Sequence, residues 1–214
     1  MRALLIALAL LAAPAALAAN APPTSGVHHT TAGMAAAKRA LIRPADIARG
    51  WSAGLTPKKV GALTCGSAAK TVKGAVETGS AVSPTYRAGS TGPFVSESAY
   101  VYSTAAGAAS FFNHVANKAA LACLAASVAG GSTKNVTFKV SHSEQLPAPK
   151  AGTKTAAYRV VGSAQLTAQK VRVYVDVVLV LRRNAISELS WSSVLVPVST
   201  SLQLHVARAA AARL

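Results

Sequence analysis

Alternating apolar and polar residues dominate the second half of the chain. Between residues 135 and 196 the apolar positions recur every second residue, which is typical of β-strands that bury one face. We predict three or four strands here, in the segments 135–142, 155–166, 170–183 and 185–196. Arg183 and Asn184 separate the last two segments, and this short polar interruption predicts a tight hairpin turn.

The same alternation assigns residues to the two faces of these strands, because side chains two positions apart point to the same side. The predicted core face carries mainly valine and aromatic residues, namely Val136, Phe138, Val140, Tyr158, Val160, Val171, Val173, Val175, Val177, Leu179, Leu189 and Trp191. The predicted outer face carries Thr137, Lys139, Arg159, Lys170, Arg172, Asp176, Glu188, Ser190 and Ser192. A sheet with this pattern needs a cover on its apolar side.

A helical period precedes the strands. Residues 104–128 place Phe111, Val115 and further small apolar residues on one stripe, which predicts a long helix. Thr104 is a suitable N-cap, and the glycine pair at residues 130–131 is a suitable stop. Cys123 falls on the core side of this helix.

The remaining elements complete the predicted fold. They are a helix at residues 34–42, a hairpin over residues 86–103 with its turn at residues 89–92, and a terminal helix at residues 199–214. The order is therefore helix, hairpin, long helix, antiparallel strands and helix. This order predicts an α+β fold in which an antiparallel β-sheet is covered on one face by helices.

The N-terminal half contains two segments without a regular pattern. Residues 19–33 are rich in Pro, Thr, Ser, Gly and Ala, and we predict a disordered leader there. Residues 52–84 are rich in Gly, Thr, Ser and Lys, and we predict a long, mostly irregular excursion. Residues 34–214 are then expected to form a single domain, which is a common size for one hydrophobic core.

The first 18 residues match a secretory signal peptide. Arg2 supplies the positive charge, residues 3–13 supply the apolar segment, and a small-residue stretch ends at Ala18, where we predict cleavage. The alternative is a membrane anchor, but Pro14 interrupts an apolar run that is well short of the roughly 20 residues needed to span a bilayer. With no cysteine at the cleavage point, the protein is expected to be secreted without a lipid anchor, and no later segment is predicted to be transmembrane.

The chain has two cysteines, Cys65 and Cys123. Because export leads to an oxidising compartment, we predict that they form one disulfide. In the chain-entropy model such a bridge contributes on the order of 4 kcal/mol. The alternative is a nucleophilic or metal-binding thiol, although neither cysteine has a CxxC partner or a nearby histidine.

Charge is the strongest compositional bias, with 22 Lys and Arg residues against 6 Asp and Glu residues. A surface of this kind attracts an anionic envelope polymer, an acidic lipid headgroup or nucleic acid. Lys139, Arg159, Lys170 and Arg172 could align on the outer face of the sheet as an anion-binding patch. The alternative is that these basic residues only solubilise the surface. Aromatic residues are few and no RNP-like or helix-turn-helix pattern occurs, so specific nucleic-acid recognition is not expected.

The sequence carries no recognisable motif for catalysis or for a cofactor. The six acidic residues are well separated, the five histidines lack ligand spacing, and no GxSxG or SxxK sequence occurs at a suitable place. We therefore expect no cofactor or metal, and we favour a binding or sensor-like domain whose partner is an anionic polymer or a small ligand. Two alternatives stay open: a hydrolase assembled from distant residues such as a serine, His142 and Asp176, and a purely electrostatic binder of polyanions.

Several segments together resemble a known group of proteins. They are residues 46–51, the Leu63-Thr-Cys65-Gly66 turn, Tyr100-Val-Tyr-Ser before an Ala/Phe helix that ends in Cys123, and Val180-Leu-Arg-Arg before a terminal Ala/Arg helix. Over residues 40–214 the chain resembles small secreted or lipid-anchored envelope proteins of high-GC Gram-positive bacteria. It is similar to the extracellular sensor domains of bacterial Ser/Thr kinases and, more loosely, to the PsbP-like fold. The resemblance implies a non-enzymatic domain with a ligand-binding cleft. Those sensor domains commonly carry two disulfides, whereas this chain can form one.

Overall fold

The structure is a computed structural model, and it describes residues 24–56, 72–89, 92–131, 136–166 and 169–214. In these ranges the strands are β1 (Thr24–Val27), β2 (Trp51–Ala53), β3 (Val72–Val82), β4 (Tyr86–Ala88), β5 (Phe94–Tyr102), β6 (Val136–Leu146), β7 (Lys154–Leu166), β8 (Gln169–Arg182) and β9 (Ala185–Val194). The α-helices are α1 (Thr31–Ala40), α2 (Ala105–Val115), α3 (Lys118–Gly130) and α4 (Thr200–Arg213). The predicted signal peptide and Cys65 lie outside the described residues.

The strands form one sheet in the order β1-β3-β5-β9-β8-β7-β6, and β4 pairs with both β2 and β5. The β1–β3 pair is parallel, and the other pairs are antiparallel. The predicted α+β class is therefore confirmed, as are the hairpin of β4 with β5 and the turn at Arg183 and Asn184. No helix in the described ranges is long and apolar enough to cross a membrane.

Helices pack on both faces of the sheet, whereas one covered face was predicted. The odd-numbered valines of β8 pack with α2 and α3, on what we call face A. Val178 and Val180 pack with α4 on the opposite side, face B, where α1 also lies. The reason is visible in β8, since residues 177–181 are all apolar and a strand with no polar side is buried on both faces.

Burial on both sides corrects the face assignment of β9. Leu189 and Trp191 lie in the core of face B, opposite Val178 and Asp176. Glu188, predicted to face outward, is instead buried on face A. Alternation correctly separated the two sides of β9, but it could not reveal that each side has its own core.

The segment predicted as one helix over residues 104–128 forms two helices. Thr104 caps α2 as predicted, with its hydroxyl accepting from Gly107 N at 3.0 Å. A second start follows at Asn117, whose side-chain oxygen accepts from Ala119 N at 2.8 Å and from Ala120 N at 3.1 Å. Because an asparagine at an N-cap satisfies free amides of the first turn, the break falls at this residue.

Two segments predicted to lack structure are ordered. Residues 24–33 contain β1 and the start of α1, and residues 72–82, within the predicted irregular excursion, form the long strand β3. A glycine pair joins these elements, since a Cβ on Gly79 would lie 2.1 Å from the carbonyl carbon of Gly33. Backbone pairing and this close approach hold the region together, and neither leaves a hydrophobic period in the sequence.

Candidate anion-binding site

Helix α4 covers only part of face B. Its buried residues Val206 and Ala210 pack over the segment of β8 around Val178 and Val180. Further toward the start of β8, Lys170 and Arg172 are exposed. An uncovered, polar part of the sheet therefore extends across β6, β7 and the first half of β8.

The strand register places the four candidate cations on this uncovered part. Ser163 of β7 lies opposite Lys139 on one side and opposite Arg172 on the other. Lys139 and Arg172 are thus two strands apart on the same face, or about 10 Å between their backbones. Lys170 lies two residues before Arg172, or about 7 Å along β8. We call Lys139, Arg159, Lys170 and Arg172 the cationic face.

Arg159 differs from the other three cations because it is engaged in a bidentate ion pair. Its Nε lies 2.7 Å from Asp176 Oδ1, and its Nη2 lies 2.7 Å from Asp176 Oδ2. Gln203 of α4 donates to the same Oδ2 at 2.6 Å. These hydrogen bonds with Asp176 raise the pKa of Arg159 above its ordinary value. Arg159 therefore links the cationic face to helix α4.

The other three cations are exposed and carry uncompensated charge. Lys139, Lys170 and Arg172 form no ion pair with any residue that the structure describes. Two acids lie on this face, Glu144 and Asp176, and both are level with Arg159, at the opposite end of the cationic face from Lys170. The end of the face around Ser163 is consequently positive.

Polar and aromatic neighbours complete the surface. The guanidinium of Arg159 lies 5.8 Å from the centre of the Tyr174 ring, within the range of a cation–π contact. His142 and Tyr174 both lie opposite Val161, which puts them on the same face as Ser163. An oxygen-rich ligand on this surface would meet cations together with hydroxyl groups.

The hydrolase arrangement considered from the sequence does not form around Asp176. Both carboxylate oxygens of Asp176 are taken by Arg159 and Gln203. The side chain of His142 is exposed and is not among the groups bonded to Asp176. Elsewhere in the described ranges, His29 lies 2.8 Å from the buried carboxyl of Glu77.

Besides Glu77 and Asp176, of which Asp176 was predicted to face outward, two more acids are buried, and the sequence did not predict this. Glu97 is fully buried on face B, where its carboxyl accepts from Ser187 Oγ at 2.6 Å and from Ile42 N. Burial raises the pKa of Glu97 to about 7 against the opposing effect of these hydrogen bonds. Burial likewise raises the pKa of Glu188 to about 8. Glu97 and Glu188 lie on strands that are covered on both faces, and their side chains are buried because of this double cover.

Of the two cysteines, Cys123 lies in the described residues, in α3, where it is 5% exposed. Its predicted partner Cys65 is outside the described residues. Within the ranges that the structure describes, no group of three or more His, Cys, Asp or Glu side chains could hold a metal ion.

Comparison with protein-family models finds no match for this chain, and comparison with curated protein sequences finds none either. Function is therefore inferred from the residues of the site.

Proposed function

We propose that this protein is an exported, non-enzymatic binding domain that takes an anionic partner on its cationic face. The partner is expected to be a phosphate- or carboxylate-bearing polymer of the cell envelope. The observation that carries the proposal is the arrangement around Ser163, where three exposed cations without acidic partners have their backbones within about 12 Å of one another on the sheet.

Because the strand register fixes the spacing of the three cations, the surface favours a polymer that carries anionic groups at intervals along its chain. Each exposed ion pair contributes only about 0.2–1 kcal/mol, so one phosphate or carboxylate group would bind weakly. A polymer that reaches Lys139, Lys170 and Arg172 together combines these contacts without reordering the backbone. After cleavage removes Arg2, 21 Lys and Arg residues remain against 6 Asp and Glu residues, and this formal net charge of +15 adds long-range attraction to such a polymer.

The ion pair of Arg159 supports a positioning role for this residue. Its guanidinium is held by Asp176 and lies against the Tyr174 ring, so its position at one end of the cationic face is fixed. Arg159 also ties the β7–β8 part of the sheet to Gln203 of α4 through Asp176. A binding surface built on such fixed groups loses little entropy when its ligand arrives.

The experiment compares two triple variants for binding to polyphosphate and to polyglutamate. One variant is Lys139→Gln, Lys170→Gln and Arg172→Gln, and the matched control removes three exposed cations elsewhere, Lys38→Gln, Arg39→Gln and Lys118→Gln. The first should weaken binding about tenfold, because three contacts of about 0.5 kcal/mol are lost. Equal weakening in both variants would show that net charge alone attracts the polymer and would overturn the proposal.

The proposal includes export of the protein and a disulfide between Cys65 and Cys123, and both can be tested on the exported protein. The protein recovered outside the cells of a bacterial host should begin at residue 19, and its intact mass should be lower by two hydrogens because Cys65 and Cys123 are joined. Recovery of the protein only inside the cells, with its N-terminus intact, would contradict export. Alkylation of both thiols before reduction would contradict the disulfide.

A further inference from the structure

A pocket lies at the end of the sheet beside the cationic face. Its volume is about 490 Å³, which is within the roughly 300–1,000 Å³ typical of small-molecule sites. The residues that matter for its chemistry are Val171, Ser193, Leu195, Val196, Pro197 and Leu202. Five of these six side chains are apolar, so the pocket favours a hydrocarbon group.

The rim of this pocket exposes large apolar side chains to solvent. Leu195 is 67% exposed and Val196 is 68% exposed. Leu195 also has a φ of 71°, in the left-handed region that a branched side chain seldom adopts. Its N–H donates to Arg172 O at 2.9 Å, which fixes the strained residue against β8. Strain of this kind is concentrated at functional sites, where the surrounding structure enforces it.

Two serines line the pocket: Ser199 is exposed and caps helix α4, whereas Ser193 is buried. Ser193 lines the pocket and is 4% exposed, and its hydroxyl is buried without a hydrogen-bond partner. Buried hydroxyl groups are normally hydrogen-bonded, so an unpartnered one at a pocket wall points to a polar atom supplied by a ligand. Ser193 lies opposite Tyr174 on β8, which puts its side chain on face B with the cations.

The pocket adjoins the positive end of the cationic face at Arg172. Arg172 lies on face B two residues before Tyr174, the cross-strand partner of Ser193, and its carbonyl oxygen accepts from Leu195 N at 2.9 Å. Lys170 is the preceding residue on the same face, and both cations are exposed. A molecule whose apolar part enters the pocket would therefore place a negatively charged head beside these two cations. This charge complementarity selects an anionic amphiphile over a neutral one.

We infer that the pocket and the adjoining cations form one site for a single-chain anionic amphiphile, with its hydrocarbon chain among Leu195, Pro197 and Leu202. Its carboxylate or phosphate head lies near Lys170 and Arg172, and Ser193 donates to an oxygen of the head. The inference deepens the proposed function and rests on it, because the same cations hold the head. The occupant is a monomeric amphiphile and not the surface of a bilayer, since the pocket has room for one chain.

The test titrates the protein with sodium octanoate, decanoate and dodecanoate below their micelle-forming concentrations. Binding should be saturable and should strengthen roughly tenfold for each added pair of methylene groups that the pocket buries. Dodecanol should bind at least about fivefold more weakly than dodecanoate, because it lacks the charge that exposed cations attract. Affinity that is independent of chain length would overturn the inference.

Variants at exposed positions separate the pocket from the fold. Leu195→Gly removes an apolar wall and relieves the positive φ, so the fold should tolerate it while dodecanoate binding falls at least about fivefold. The control Leu55→Gly removes a leucine that is 90% exposed elsewhere and should leave binding unchanged. Equal binding by wild type and Leu195→Gly would contradict the site.

The outcomes also distinguish this inference from the proposed function. Polyphosphate binding without dodecanoate binding would overturn the amphiphile site alone. Failure to bind either probe would overturn both. Binding to phosphatidylglycerol vesicles without binding of the monomer would show a membrane-surface interaction and would contradict the pocket.

Discussion

Replacing Glu97 by Gln should stabilise this protein at neutral and alkaline pH and change little at low pH. The Glu97 carboxyl extends from β5 and is fully buried on face B, and burial raises its pKa from 4.5 to about 7. Between these two values the folded chain binds a proton that the unfolded chain releases. Stability is therefore highest below about pH 4.5 and falls as the pH rises toward 7.

The size of the effect follows from the difference between the two pKa values. Each unit of difference corresponds to about 1.4 kcal/mol, so the fall for Glu97 reaches about 3 kcal/mol by pH 8. A glutamine at this position has nearly the same shape and stays neutral. Its carbonyl can accept from Ile42 N, and its amide can donate to Ser187 Oγ, so both contacts of the carboxyl are kept.

The assay is urea unfolding of wild type and Glu97→Gln at pH 5, 6, 7 and 8, followed by tryptophan fluorescence. The free-energy difference between the two proteins should grow with pH to about 3 kcal/mol. Glu188 titrates in both proteins, so its contribution cancels in the comparison. Glu144→Gln, which changes an exposed acid, serves as the control. A difference that stays constant from pH 5 to pH 8 would refute the reasoning.

Three further substitutions test the framework. Asp176→Ala should lower the free energy of unfolding by about 3 kcal/mol, because it leaves the largely buried Arg159 without its partner; circular dichroism in urea measures this, and a loss below about 1 kcal/mol would argue against the network. Gly79→Ala should cost more than about 2 kcal/mol, since its Cβ would lie 2.1 Å from the backbone of α1, whereas Gly130→Ala meets nothing within 4 Å and should be neutral or stabilising in a thermal melt. Asn117→Ala should cost about 1 kcal/mol as a lost cap of α3, and hydrogen exchange of the first turn of that helix should speed up; unchanged exchange would speak against the second helix start.

The alternation of β6–β9 was sufficient to predict the strand segments and the turn at Arg183. It was insufficient for β1 and β3, because their Gly, Thr and Ser residues are held by backbone pairing with neighbours distant in sequence. It also misplaced Glu188, since a single strand does not show whether a second layer covers its polar side. These misses share one cause, which is that tertiary contacts determine burial where composition is neutral.

The candidate site was partly accessible from the sequence. The alternation of apolar and polar residues predicted which side chains point outward from their own strands. These were Lys139, Arg159, Lys170 and Arg172. The alternation could not fix which of them lie opposite one another, because register depends on turn lengths and on the bulge between Val140 and His142. The pairing of Arg159 with Asp176 and the pocket at Leu195 follow from that register and from a backbone turn, so they required the three-dimensional structure.

The most direct measurement is a set of backbone amide NMR spectra recorded while polyphosphate is added to the protein. Binding at the proposed surface should give its largest shift changes at Ser163 and at its cross-strand neighbours Lys139 and Arg172, with saturation and with loss at high salt. Shift changes centred instead on Lys38 and Arg39, or spread evenly over all basic residues, would contradict the assignment of this face as the binding site.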